Sequence, residues 1–513
     1  MRNIFKIYTM GALLTGALLS TSCSDYLDKF PENTMPVEEI DYTNTADAYK
    51  PVMGIYTTLG TKAREWGFLG MIAVRGDDVY KGGNGPGDQG SLNNFRDFNY
   101  GDAKNFWVSN NYWRGYYDVV IKGNLALTSL DRYAEHANDA DKAKIEGYKH
   151  EVRFLRAYSY YQLARMFGGV PVFTDNNSSD GFYKKSHEEV LRFVIAEAEA
   201  CAATLPAVMP VDMEHKGAVS RYSALALKAK AAADILDYAK VLEATTPIIA
   251  EAKAELEADY YNLFKLAGKY NRENLFEIQF TFAGAETGDS FLSNEFFIFQ
   301  GPGVGANFRS NKKFGANKDQ NLGGGWGFLP VTEELNELMI ARGEKVRYET
   351  TVLKTTGMKD ANGKEFNITA DNDTLYAGNE GSPTMYNGKA YSPSKELLRN
   401  VYGGDKNILV FRYADILLLD AEAKVQTGKN GDESFNKVRR RAGLSELSNV
   451  TFDQIMEERF VELACENGER YFDMVRTGKA LTEWADRGHG YTAAKRFYPI
   501  PQEQVDLNPN LAD

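Results

Sequence analysis

The sequence predicts a mainly α protein, built of tetratricopeptide-like helical hairpins in an α-α superhelix and carrying a loop-rich, partly β portion. Three observations predict it. Residues 411–478 span 68 positions, two units of the roughly 34-residue tetratricopeptide period, and break into helices separated by Gly-containing turns. Long stretches elsewhere place apolar side chains at i, i+3 and i+4, the signature of one covered helical face. Two aromatic-rich stretches, 60–102 and 275–400, show little periodicity, and loops of that length in a compact protein usually serve function.

At 513 residues, 43% hydrophobic and 25% charged, the chain is long enough for a large core or two to three domains. A formal charge of −12 argues against general nucleic-acid binding, which demands clustered Lys and Arg. The N-terminus carries Arg2 and Lys6, then 13 apolar-rich residues from Ile7 to Leu19, then Ser20-Thr21-Ser22 before Cys23. The apolar run is too short for a permanent membrane span. It reads as a signal peptide over 1–22. The segment resembles a bacterial lipobox, with Ser20 where that pattern prefers Leu, and the resemblance makes Cys23 the acylated (palmitate-bearing) first residue of the mature protein. Cleavage removes two basic and no acidic residues, leaving 57 against 71 and a charge of −14. Cys201 and Cys465 then remain, both in helical patterns, as buried free thiols rather than a disulfide framework.

Residues 23–42, with Pro31 and Pro36, read as a lipid anchor and tether ahead of a body over 43–513. Thr45–Leu59 is a first helix, facing inward with Ala48, Val52, Ile55 and Tyr56. Gly60–Gly101 is a loop zone rich in Gly and Asn. Helix resumes over Ala103–Tyr133 and again over Ala140–Phe167, where Gly168-Gly169 and Pro171 end it. His187–Leu205 follows, with Ser186 and Glu189 forming a capping box. Arg221–Tyr238 is alanine-rich, which permits close helix approach, and Ala239–Leu256 is its partner. The scaffold is thus mainly 43–59, 103–265 and 409–478. LFEIQFTF from Leu275 reads as a strand. A short helix occupies Thr332–Ala341, and strand-like pieces and turns fill 343–400. In the last scaffold stretch FRYADILLLDAEA is apolar on nearly every side, so neighbours must surround it. Arg439, Arg440 and Arg441 lie near Glu457, Glu458 and Glu462, which predicts helix–helix ion pairs. Asp473 and Arg476 predict an i, i+3 pair.

Several segments together resemble the SusD/RagB family of outer-membrane nutrient-binding lipoproteins of Bacteroidetes. They are CSDYLD at Cys23, EVRFLRAYSYYQLARMFGGVPV from Glu151, RYSALALKAKAAADIL from Arg221 and GWGFLPVTEEL from Gly325. Further along come FRYADILLLDAEA from Phe411, FNKVRRRAGL from Phe435, the run from Glu457 to Gly478, and FYPIPQEQVDLNPNL from Phe497. The resemblance implies four tetratricopeptide-like hairpins with a ligand surface on the loop-rich portion. It also implies an oligo- or polysaccharide ligand, a TonB-dependent SusC-like transporter as partner, and an outer-membrane location facing the exterior.

Sugar rings present apolar C–H faces and polar rims, so flat aromatic side chains beside amides and carboxylates recognise them without catalysis. Trp66, Tyr80, Trp107, Trp113, Phe296, Phe299 and Trp326 are the aromatic candidates. Trp66, Tyr80 and Trp326 stand foremost among Gly, Asn and Asp, whereas Trp107 and Trp113, on a helix, read as core. Asp77, Asp78, Asn84, Asp88 and Asn94 are the polar candidates. Walker A, HExxH, GxSxG and CxxC patterns are absent, the five His are scattered, and no carboxylate pair stands out. The chain is therefore expected to be a non-enzyme without a cofactor. Asp371, Asn372 and Asp373 offer oxygens to a structural Ca²⁺ but lack the EF-hand pattern. A secreted glycan-cleaving enzyme and a tetratricopeptide scaffold for protein partners are the alternatives.

Overall fold

The computed structural model describes residues 40–177, 182–281, 293–303, 308–309, 325–397 and 404–512. The expected signal peptide, Cys23 and the tether up to residue 39 lie outside the described residues, as does much of the stretch between Phe280 and Gly327.

Helix α1 (Lys50–Ala63) begins with Pro51 in its first turn, after a short 3₁₀ turn at Thr45–Asp47. It packs on two long helices, α4 (Trp107–His136) and α5 (Asp139–Phe167). Asn138 caps α5 by accepting from the Asp141 N–H, and Gly168 ends it at φ +74°. A side chain at that φ is strained, and a Cβ there would also press on the Phe497 ring at 2.7 Å. Helices α6 (His187–Thr204), α7 (Arg221–Asp234) and α8 (Tyr238–Glu251) continue the stack, each packed on the one before. The expected capping box of Ser186 and Glu189 is present. The alanines of α7 are buried on all sides, so its neighbours approach closely.

Helix α8 packs not on the next helix in the chain but on α11 (Tyr413–Gln426), which is buried around its circumference from Tyr413 to Ala423. The 252–412 segment is thus inserted within one hairpin of the superhelix. It leaves and returns through an antiparallel strand pair, β1 (Asn274–Ile278) with β2 (Ile408–Arg412). The segment also contains α9 (Phe296–Gln300), α10 (Glu333–Ala341), capped by Thr332, and a small sheet. That sheet orders Phe308–Arg309, Thr374–Tyr376, Glu365–Ile368 and Met358–Lys359. Helices α12 (Asp432–Arg441) and α13 (Phe452–Glu462) close the scaffold against α11, and α14 (Glu469–Arg476) follows.

The expected ion pairs form. Arg439 meets Glu458 at 2.9 Å, Arg441 meets Glu462 at 2.5 Å, and Arg476 meets Asp473 at 2.8 Å. The first two belong to a larger buried network in which Arg412 reaches Glu273, Glu462 and Glu466, and the third to another in which Arg459 joins Asp415 and Asp473. Arg440 instead turns outward to Glu446. Cys201 is free and buried, its thiol pushed up to about 12 by burial; Cys465 is free and less covered.

The loop expected over Gly60–Gly101 is interrupted by helix, and residues 74–90 remain loop. Helix α1 runs on to Ala63, and α2 (Trp66–Ala73) and α3 (Ser91–Arg96) follow. Glycine density misleads here because Gly67 and Gly70 serve packing. A Cβ on Gly67 would lie 2.7 Å from Val108, and one on Gly70 would lie 3.3 Å from Phe299. The helix can approach its neighbours only because those positions are bare.

Candidate functional site

Three remote segments interlock beside α2. Residues 79–82 pair with 328–331 through bridges at Val79–Val331 and Gly82–Phe328. Tyr80 N–H donates to Pro330 O at 3.1 Å, Leu329 N–H to Lys81 O at 3.1 Å, and Gly83 N–H to Gly327 O at 2.9 Å. On its other side the same segment donates from Trp326 to Ile298 O (2.6 Å), from Gly327 to Gly301 O (3.0 Å) and from Phe328 to Phe299 O (3.0 Å). The lysine ammonium of Lys81 closes the neighbouring turn by donating to Gly85 O and Asp88 O.

The interlock brings three tryptophans together. The Trp66 ring centre lies 5.5 Å from Trp107 and 5.7 Å from Trp326, both edge-on. Behind them Phe299 and Phe328 stack at 4.9 Å and 17°, and Trp66 leans on Phe299 at 5.0 Å. Trp66 and Trp326 are half-buried, while Trp107 is 46% exposed. Trp107 opens α4, where no preceding helical turn covers it, and the bare Cα of Gly67 gives its ring a seat. The expectation that both helical tryptophans are core holds for Trp113, at 5% exposure, and fails for Trp107. The Gly next to Trp66 was the sequence signal for that seat.

Other nominated residues fall elsewhere. Phe299 is fully buried, so it backs the tryptophans and offers no face to a ligand. Phe296 is half-buried and lines interior cavities with Leu69 and Ile408. Tyr80 is half-buried at the pairing of the two segments, its phenol pushed up by burial and the Glu333 charge. Asn84 is exposed, and its backbone N–H donates to Asp88 Oδ2 at 2.9 Å. Asn94 donates to Asp102 at 2.8 Å.

Asp77 and Asp78 are both tied into the scaffold. Asp77 accepts from Arg470 at 2.6 and 3.0 Å and from the Trp484 indole at 3.1 Å. Burial pushes Asp77 up, but Arg470 more than offsets this and leaves it below the usual carboxylate range. Asp78 is 1% exposed, and burial, with Asp77 adding repulsion, lifts it to about 6. The Asp371–Asp373 cluster is likewise engaged: Asp371 takes the Tyr261 hydroxyl and Lys395, and Asp373 takes the Tyr391 hydroxyl with Ser394. Among the described residues no group of three or more His, Cys, Asp or Glu side chains is arranged to hold a metal.

Two family models match the sequence. One, described as the SusD family, covers residues 296–513, and the other, described as starch-binding associating with outer membrane, covers residues 25–231. The chain belongs to the SusD/RagB family. The Trp66 and Trp107 side of the cluster lies in one match, and Trp326 with Phe299 in the other. Among relatives, the SusD-like protein P38 of Formosa agariphila is 25% identical over 441 residues, covering 78% of each chain. Among solved structures, surface glycan-binding protein A from Bacteroides uniformis superposes with a TM-score of 0.73 at 23% identity, covering 91% of this chain and 98% of its own. Surface glycan-binding protein A from Bacteroides thetaiotaomicron, in complex with laminarihexaose, gives 0.72 at 21% identity, covering 91% and 98%. These likenesses confirm the SusD-type helical superhelix as the fold.

Proposed function

We propose that this SusD-family chain is a non-catalytic cell-surface glycan-binding lipoprotein. It captures an oligo- or polysaccharide on the Trp66–Trp107–Trp326 face and passes it to a TonB-dependent SusC-like transporter in the outer membrane, to which Cys23 acylation tethers it. The observation that carries the reading is the convergence of three tryptophans from distant segments, one nearly half exposed, on a braced backbone frame. The exposed Trp107 ring offers surface to the apolar side of a pyranose, and large rigid surfaces bind at low entropic cost. The names of the similar proteins, among them one solved with laminarihexaose, support a sugar ligand. The non-catalytic reading is supported by the binding, rather than cleaving, named for the similar proteins.

Incubation with a glycan panel tests this. Retention in a glycan-loaded affinity gel without new reducing ends is the expected result. Steady product release makes it an enzyme; no retention of any glycan, with the transporter still co-purifying, makes it a protein-binding scaffold. Cys23→Ala is expected to release the protein from the membrane fraction, and unchanged retention refutes the anchor.

A further inference from the structure

A second feature lies beside the tryptophan face, along α4. An open groove of about 700 Å³ has Asn111, Arg114 and Ile121 of α4 on one wall, and Phe182 and Leu507 on the other. Three large apolar side chains left in solvent meet there: Ile121 is 43% exposed, Phe182 40% and Leu507 75%. Apolar surface gathered in one place, rather than scattered singly, marks a site of contact.

The base of the groove is an aromatic ladder. The Trp113 and Tyr117 ring centres lie 4.9 Å apart, Phe173 stacks on Tyr117 at 5.8 Å and 9°, and Phe182 meets Phe173 edge-on at 5.2 Å. Tyr117 donates its hydroxyl to Pro171 O at 2.7 Å, which fixes the ladder in place. At the mouth Phe182 holds φ +49°, where a bulky residue is strained. Asn508 Nδ2 donates to its carbonyl at 3.3 Å.

The rim is polar and mixed in sign. Lys62 and Arg114 stand against Glu65 and Asp118, and Asp118 is also paired with Lys122 at 3.0 Å. Among the described residues the Asn111 and Arg114 side chains make no hydrogen bond or ion pair, so their donors face solvent. An acidic polymer calls for a cluster of basic groups, which this rim lacks. Aromatic surface beside uncommitted amide and guanidinium donors fits an uncharged sugar ring.

Both walls lead away from the tryptophans. Asn111 follows Trp107 by one helical turn on the exposed face of α4, and Glu65 directly precedes Trp66. From Trp107 to Ile121 the helix rises roughly 21 Å, at about 1.5 Å per residue. A ligand that touches both ends is a chain and not a single sugar. We propose that the groove continues the tryptophan face, and that the ligand is a neutral polysaccharide lying along α4 from Trp107 past Arg114 to Phe182. This rests on the tryptophan face being a glycan site, and it makes that face one end of a cleft that favours long chains over short ones.

The test uses the intact mature chain. Gels loaded with starch, laminarin, xylan or mannan, and with the acidic polymers alginate and pectate, identify the polysaccharide that the parent retains. Calorimetry then compares its trisaccharide and decasaccharide fragments. The decasaccharide is expected to bind the parent about tenfold tighter than the trisaccharide. Arg114→Ala combined with Phe182→Ala is expected to shrink that gap to about twofold, with trisaccharide affinity unchanged. Should the double variant fail to fold, Arg114→Ala alone decides, because its side chain is exposed and unpaired; a loss of about threefold on the decasaccharide only is then expected. Equal affinity of the parent for both lengths, or a gap that survives the substitutions, overturns the groove and leaves the tryptophan face standing. Retention on the acidic polymers alone overturns the neutral ligand. Variants that lose the transporter but keep the decasaccharide make the groove a protein dock, which also overturns the proposal. Retention on none of the gels defeats the tryptophan reading itself, and the groove with it.

Discussion

Asp78 accepts a hydrogen bond from the Cys465 backbone N–H at 2.7 Å, across 387 residues of sequence. Beside it Asp77 clasps Arg470. The segment carrying the interlock is thus fastened to the turn between α13 and α14, and the fastening contains a carboxylate that burial penalises.

That penalty has a sign. Asp78 stands at about 6 against an ordinary 3.8, so the folded chain holds its proton more tightly than the unfolded chain. Stability contributed by this group therefore falls as pH rises from about 4 to 6. Asp78→Asn removes the titration. Urea unfolding is expected to show the variant about 1–3 kcal/mol more stable than the parent at pH 7 and equal to it near pH 3.5. A constant difference across that range contradicts the assignment.

Glu462 works in the opposite direction. Burial alone would raise it, yet Arg441, Arg412 and Arg347 hold it at about 2. Its contribution is present above about 4.5 and is lost as pH falls toward 2. Glu462→Gln leaves those arginines short of a buried partner and is expected to cost about 3–5 kcal/mol at pH 7. The gap to the parent narrows in acid, which denaturant titrations at pH 7 and pH 3 will measure.

Gly82 has φ +64°, and a Cβ there would lie 2.2 Å from Gly327 O. Gly82→Ala is expected to part the two paired segments and cost about 1–3 kcal/mol. Because the same pairing sets Trp326, glycan affinity is expected to fall with it. Binding that is untouched while stability drops would separate the frame from the site.

The three tryptophans divide by burial. Trp107→Ala is expected to lower glycan affinity tenfold or more with the unfolding midpoint within about 2 °C of the parent. Trp66→Ala removes the ring that touches Trp107, Phe299, Phe328 and Trp326 together, and is expected to cost about 2–4 kcal/mol as well as affinity. Calorimetry alongside thermal unfolding distinguishes the two effects.

The scaffold was legible because helix periodicity is local. The stripe of α5, the capping box of α6 and the all-round apolar α11 each need only neighbours in sequence to be seen. Arg439 and Arg441 were placed by the same logic, since their partners sit one helix away. The site was legible only in part. Trp66 and Trp326 stand out by their Gly-rich surroundings, but Trp107 reads as core because helical residues usually are. Asp77 and Asp78 looked like loop acids because Arg470 and Cys465, their partners, lie some 390 positions on. Glycine carried the deepest ambiguity: at Gly67 and Gly70 it permits close packing inside a helix, at Gly82 it permits a turn, and the letter is the same.

The tryptophan face takes one wall from the first quarter of the chain, one from its middle, and its fastening from the C-terminal helices. If the face binds glycan as proposed, a chain that has lost any of these has nothing to recognise a ligand with. Binding competence on that reading is a report on completeness, and truncated copies would be silent rather than competitors for the same ligand.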